Sequence, residues 1–127
     1  MSIKIDVVFH AAGLEEYSID EELSLETLLV NSLGTRVLLE LAKSENAKFI
    51  FVSTAHLYSG IFSSTSLKYY FGKDPASESL FTHNEAKRFA EALVFEYYKN
   101  YGLFAQIVRV KDVYGPKMNL QAEGTIN

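Results

Sequence analysis

Three short runs of β-branched and aromatic residues, separated by much longer helical stretches, limit what this chain can fold into. Ile5-Asp6-Val7-Val8-Phe9-His10, Lys48-Phe49-Ile50-Phe51-Val52-Ser53 and Ala105-Gln106-Ile107-Val108-Arg109-Val110 read as buried strands. The first two flank a predicted helix from about Ser24 to Lys43, on which Leu28, Leu29, Leu33, Val37, Leu38 and Leu41 make one wide apolar stripe. Ser24 fits the N-cap of that helix, and Lys43 sits at the end its dipole favours for a cation. The second and third runs flank a helix from about Asn84 to Asn100. It turns Ala86, Phe89, Ala90, Leu93, Val94, Tyr97 and Tyr98 towards the core, and Gly102 stands where a helix-ending glycine is expected. Strand, helix, strand, helix, strand implies two right-handed crossovers, and hence a parallel sheet of about three strands with helices on its faces.

The remaining stretches are polar. Between Lys4 and Arg36 there is no basic residue, but there are seven acids: Asp6, Glu15, Glu16, Asp20, Glu21, Glu22 and Glu26. They read as a solvated loop and a helix start that tolerates negative charge, because nothing resembles a calcium loop. The stretch from Ser59 to about Phe81 has no clear period, and so long a connection in a compact domain is usually functional or mobile. With 127 residues, 1–127 read as a single domain. The absence of cysteine rules out disulfides, thiolate metal sites and cysteine nucleophiles. A net charge of -4 argues against a nucleic-acid partner. No apolar run approaches the roughly 20 residues that span a bilayer, and the first residues lack a signal-peptide pattern. The expectation is a cytoplasmic protein with no membrane contact.

In an open parallel sheet the ligand crevice lies beyond the carboxyl ends of the strands. Ala11-Ala12-Gly13, Ser53-Thr54-Ala55 and Lys111-Asp112-Val113-Tyr114 occupy those ends, and the small residues of the first two allow close approach to a ligand.

Five segments, taken in order, then point to a known family: Asp6-Val7-Val8-Phe9-His10-Ala11-Ala12-Gly13; Asn31-Ser32-Leu33-Gly34-Thr35 with Leu38-Leu39-Glu40-Leu41-Ala42; Phe49-Ile50-Phe51-Val52-Ser53-Thr54 with Leu57-Tyr58; Lys87 with Ala90-Glu91; and Val108-Arg109 with Val113-Tyr114-Gly115-Pro116. Together they resemble the second half of the Rossmann domain of extended short-chain dehydrogenases/reductases, the NAD-dependent epimerase/dehydratase group. Its nucleotide-sugar epimerases, dehydratases and reductases are the nearest branch. Val52-Ser53-Thr54-Ala55 is also similar to a fatty-acyl reductase branch.

The resemblance implies a partial Rossmann-like three-layer α/β fold and NAD or NADP as cofactor. By position, it implies that Thr54 is the hydroxyl holding a substrate oxygen and that Lys87 is the lysine on the nicotinamide ribose. Ala11, Ala12, Gly13, Asn31, Lys87 and Val113 would line the cofactor. Two departures shape the functional reading. The family's proton-transferring tyrosine, four residues before the lysine, is His83 here. No G-x-G-x-x-G turn for the pyrophosphate occurs among the seven glycines.

Three readings follow. The first is a truncated or split oxidoreductase-like chain, not catalytically competent alone, with a nucleotide-sugar ligand. The second is a non-catalytic binding or assembly module derived from the same fold. The third is an active small oxidoreductase using His83 in the tyrosine's place. The apolar first strand would be an open sheet edge, so a homo-oligomer or a partner chain pairing there is expected.

Overall fold

The computed structural model describes residues 4–14, 21–58, 75–111, 113, 115 and 116, with 21–24 and 75–81 described as backbone alone. The described residues form strand β1 (Val7–His10), helix α1 (Glu21–Glu45), strand β2 (Lys48–Thr54), a short 3₁₀ helix (Ala55–Tyr58), helix α2 (Pro75–Tyr101) and strand β3 (Ala105–Val110). The sheet order is β1-β2-β3, parallel throughout. Val7 pairs with Lys48 and His10 with Phe51, while Phe49 pairs with Ala105 and Thr54 with Val110. The three expected strands are therefore present, the first shorter by two residues.

Crossovers of one hand that step the same way across a sheet leave their helices on the same face. That is the arrangement here. Val8 of β1, Phe49 and Phe51 of β2, Leu39 and Ala42 of α1, and Ala90, Val94 and Tyr97 of α2 share one buried cluster. Among the described residues both helices lie on this face, so the second helical layer of the expected three-layer arrangement is not seen among them. Alternation along β2 buries Phe49, Phe51 and Ser53 against the helices and leaves Ile50, Val52 and Thr54 half-buried on the other side. On that open side Val7 and Phe9 of β1 and Val108 of β3 are exposed. Among the described helical residues no helix is long and apolar enough to cross a membrane.

The helix boundaries correct three expectations. Helix α1 starts at Glu21, so Ser24 lies within its first turn rather than at its N-cap, and residues 15–20 lie outside the described residues. It ends two residues beyond Lys43. Asn46 takes the left-handed conformation (φ 51°), and Ala47 N–H closes on the Ala42 carbonyl at 2.8 Å. Asparagine here does what glycine usually does at a helix C-terminus. Helix α2 begins at Pro75, nine residues before Asn84, using the first-turn position where proline loses no hydrogen bond. Its predicted stop holds: Gly102 has φ 66° and donates to the Tyr98 carbonyl at 3.0 Å.

The helix faces are corrected too. Of the α1 stripe, Leu38 packs against the core, but Leu28, Leu29, Leu33, Val37 and Leu41 are all exposed, Val37 by 67%. The buried line instead runs through Thr27, Asn31, Thr35, Leu39 and Ala42, one turn apart and then three residues on. Its first half is polar because what it meets, the end of β1 and the loop after it, offers hydrogen-bond partners. On α2, Ala86, Ala90, Val94 and Tyr97 are buried as expected, but Phe89 and Tyr98 are exposed.

Candidate functional site

All strands being parallel, their carboxyl ends meet on one edge of the sheet. In β2 the Lys48 amide bonds Asp6 before β1, and the Phe49 amide bonds Phe104 before β3. In a parallel sheet alternate residues address alternate neighbours, so the Val52 carbonyl faces the β1 side. Strand β1 has stopped by then, its last pair being His10 with Phe51. Lys87, reaching in from α2, donates its Nζ to this carbonyl at 3.1 Å. The ammonium also stands 5.1 Å from the centroid of the Phe51 ring, and the residue is 8% exposed.

Above Lys87 passes the segment after β1. Ala11, Ala12 and Gly13 are exposed there. A Cβ placed on Gly13 would lie 2.9 Å from Asn31 Oδ1 and 3.6 Å from Lys87 Nζ, so a side chain at this position would collide with the Asn31 amide. Asn31 is buried and its amide grips one residue of the segment at both of its polar groups. Leu14 N–H donates to Oδ1 at 2.9 Å, and Nδ2 donates to the Leu14 carbonyl at 3.0 Å. The asparagine thus shapes the wall rather than standing in it.

His10, last in β1, is 95% buried between the Phe49 and Phe51 rings. Its Nε2 lies 2.9 Å from Thr35 Oγ1, while Thr35 donates its own hydroxyl proton to the Asn31 carbonyl at 2.8 Å. With the Thr35 proton directed to Asn31, Oγ1 is left to accept, which favours the tautomer with the proton on Nε2 and a bare lone pair on Nδ1. Burial, and then the nearby Lys87 charge, push the His10 pKa down.

Thr54 ends β2. Its Oγ1 accepts the His56 amide at 3.2 Å, capping the 3₁₀ turn that follows. It is half-buried, on the face opposite Ser53. His83 is half-buried on α2, four residues and so about one turn before Lys87. Val113 is 67% exposed. Asp112, Tyr114 and the segment 59–74 lie outside the described residues. The structure thus gathers Gly13, Asn31 and Lys87 at one point and puts Thr54 at the end of the strand whose carbonyl Lys87 holds.

Sequence reasoning assigned no role to a second cluster. Arg109 of β3 clamps Glu91 of α2 through Nε to Oε1 at 2.8 Å and a second nitrogen to Oε2 at 2.5 Å, with its guanidinium 4.7 Å from the Tyr58 ring centroid. Burial acts to raise the Glu91 pKa, but the hydrogen bonds and charge of Arg109 prevail and hold it low. Glu91 sits one turn after Lys87, so this pair ties the lysine's helix to the edge strand. A Glu four residues after a buried Lys, with an Arg in the next strand, was the available signal.

A family model described as NAD dependent epimerase/dehydratase family matches residues 1–126. The chain belongs to that family. UDP-glucuronic acid decarboxylase 6 of Arabidopsis thaliana is 28% identical over 118 residues, covering 93% of this chain and 34% of that protein. The dTDP-D-glucose 4,6-dehydratase of Homo sapiens is 32% identical over 114 residues, covering 89% of this chain and 31% of the human protein. The chain therefore spans about a third of the length of the curated relatives it matches. Among solved structures, Pal from Bacillus thuringiensis is similar with a TM-score of 0.71 and 25% identity, over 96% of this chain and 38% of that one. A UDP-N-acetylglucosamine 4-epimerase of Methanobrevibacter ruminantium, solved with UDP-N-acetylmuramic acid, has a TM-score of 0.69 at 22% identity over 96% of this chain and 38% of that one, which speaks for the fold alone.

Proposed function

We propose that residues 1–127 furnish the nicotinamide side of the cofactor domain of a nucleotide-sugar epimerase, dehydratase or reductase, and are not catalytically competent by themselves. The observation that carries this reading is Lys87: a buried ammonium anchored on the free Val52 carbonyl, beneath a loop of small residues, at the carboxyl edge of a parallel sheet. These residues fit the nicotinamide half of NAD or NADP. Lys87 would hold ribose hydroxyls, Ala11, Ala12, Gly13 and Val113 would line the group, and Asn31 would set the loop. Thr54 would hold a substrate oxygen once its hydroxyl turns from the His56 amide. The bound dinucleotide would supply hydride transfer.

Two features argue against turnover by these residues alone. The pyrophosphate needs a row of backbone N–H groups at a glycine-rich helix start, and no such turn occurs in the 127 residues. His83 puts an imidazole where the family uses a phenol, a smaller ring whose polar atoms reach less far. Calorimetric titration of the 127-residue chain with NAD(H) and NADP(H) tests the reading. No binding at micromolar concentration is expected, and micromolar affinity would overturn it. If binding occurs, a His83→Tyr variant that gains turnover restores the family's chemistry, whereas one that loses turnover assigns the proton transfer to His83.

A second reading, an assembly module, is favoured by the exposed α1 stripe with Val37 at 67% and by Phe9 at 64% on the open sheet side. On this reading the chain forms a homo-oligomer or pairs with another chain along β1. Light scattering after size exclusion at micromolar concentration checks it, and a clean monomer counts against it.

A further inference from the structure

We propose that residues 11–14 form a pH-sensitive strap across Lys87, fastened at one end through His10 and at the other through Leu14 to the same turn of α1. Both fasteners are visible. At the start, His10 Nε2 is hydrogen-bonded with Thr35 Oγ1 at 2.9 Å. At the end, Leu14 is held twice by the Asn31 amide. The fasteners are joined, because the Thr35 hydroxyl donates to the Asn31 carbonyl at 2.8 Å. One helical turn therefore holds four residues of loop at both ends, and the loop lies close over Lys87 Nζ.

The His10 end is the one that acid can open. Nδ1 is buried and has no hydrogen-bond partner among the described residues. Adding a proton there creates an N–H donor with no acceptor, in a place water does not reach. It also places a second positive charge beside Lys87. Among the described residues the surroundings offer no compensation: β2 presents Phe49 and Phe51, α1 presents the neutral Thr35 and Asn31, and α2 presents Lys87, the charged group that acts on the ring. A protonated His10 is better placed in water than in the fold, and moving it there releases the start of the strap. The strap itself assumes nothing about catalysis. It bears on ligand access because Gly13, within the strap, stands close over the lysine ammonium.

Residue-resolved amide exchange on the 127-residue chain, between about pH 7.5 and pH 5, tests the strap. Rates are corrected for the intrinsic pH dependence of exchange. Exchange at Gly13 and Leu14 is expected to speed up as pH falls, by up to about tenfold per pH unit below the ordinary histidine value near 6.5, while the Phe51 amide stays protected. In His10→Gln the side-chain amide still donates to Thr35 but cannot titrate, so the response should vanish. Lys87→Met gives a separate arm read on the His10 ring by NMR, whose titration should move to higher pH. A flat wild-type profile, an acid response that persists in His10→Gln, or a His10 titration unmoved by Lys87→Met overturns the proposal.

Discussion

Replacing Arg109 by methionine removes the partner of a nearly buried carboxylate. The Glu91 side chain is 11% exposed and that of Arg109 is 35% exposed, so water reaches the pair mostly from the arginine side. Breaking a buried ion pair by removing one member costs about 3–5 kcal/mol, since the other charge is left without compensation. The partial wetting here argues for the lower end, about 3 kcal/mol. For a domain of this size that corresponds to a fall of roughly 12 °C in Tm, at about 4 °C per kcal/mol. The double variant Glu91→Leu with Arg109→Met leaves no stranded charge and should recover to within about 1 kcal/mol of the parent. Urea unfolding followed by circular dichroism at neutral pH measures both.

The pH dependence gives an independent check with a definite sign. In the parent, Arg109 holds the Glu91 pKa below its ordinary value, so the pair's contribution is present above the unfolded carboxylate pKa of about 4.3 and is lost as pH falls through the folded value. In Arg109→Met burial, the largest influence on Glu91, is opposed only by the weaker pulls of Ser53 and Arg88, and the folded pKa rises. That state is best tolerated at low pH and loses stability as pH rises through about 4.3. The gap between parent and variant should therefore narrow as pH is lowered towards about 4. A single variant within about 0.5 kcal/mol of the parent, a gap independent of pH, or a double variant as weak as the single would refute this account of the clamp.

Other outcomes follow from the same geometry. Phe51→Ala empties a site that is 0% exposed and touches the His10 ring; it should cost about 3–5 kcal/mol in urea melts. Gly13→Ala and Gly102→Ala separate collision from backbone strain. The first sets a methyl 2.9 Å from Asn31 Oδ1 and should free the Leu14 amide in hydrogen exchange, whereas the second meets nothing within 4 Å but fixes a left-handed φ of 66°, costing about 1–2 kcal/mol of stability and leaving Leu14 protected. Thr35→Val keeps the shape and removes the hydroxyl that serves both His10 and Asn31; thermal melting should register a loss of about 1–3 kcal/mol.

The strands were legible because β-branched runs leave little choice once buried: Ala105–Val110 matches to the residue, and Lys48–Thr54 differs by one. Gly102 was legible because its conformation is a property of the residue itself. The faces of α1 were not. A hydrophobic stripe marks which side avoids water, but not whether the sheet or some other surface receives it. The sheet took the side with Asn31 and Thr35 because the end of β1 needed hydrogen bonds there. The start of α2 was hidden by a Ser-rich stretch in which the Asp74-Pro75 pair was the positional cue. At the site, the resemblance located Lys87 and Asn31, but could not say that Asn31 spends its amide on the backbone of Leu14. That depends on two segments 17 residues apart meeting across a loop.

Leaving apolar side chains in water on two sides of the molecule has a calorimetric consequence. The heat-capacity increment and the denaturant sensitivity of unfolding both scale with newly wetted surface. Leu33, Val37, Phe9 and Val108 are already wet in the folded chain and add little to either. A lone copy should thus unfold with a heat-capacity change below the roughly 12–15 cal/mol/K per residue of ordinary domains. Any association that dries those side chains should raise it, so the curvature of the stability profile would report assembly even where the shape of the molecule does not change.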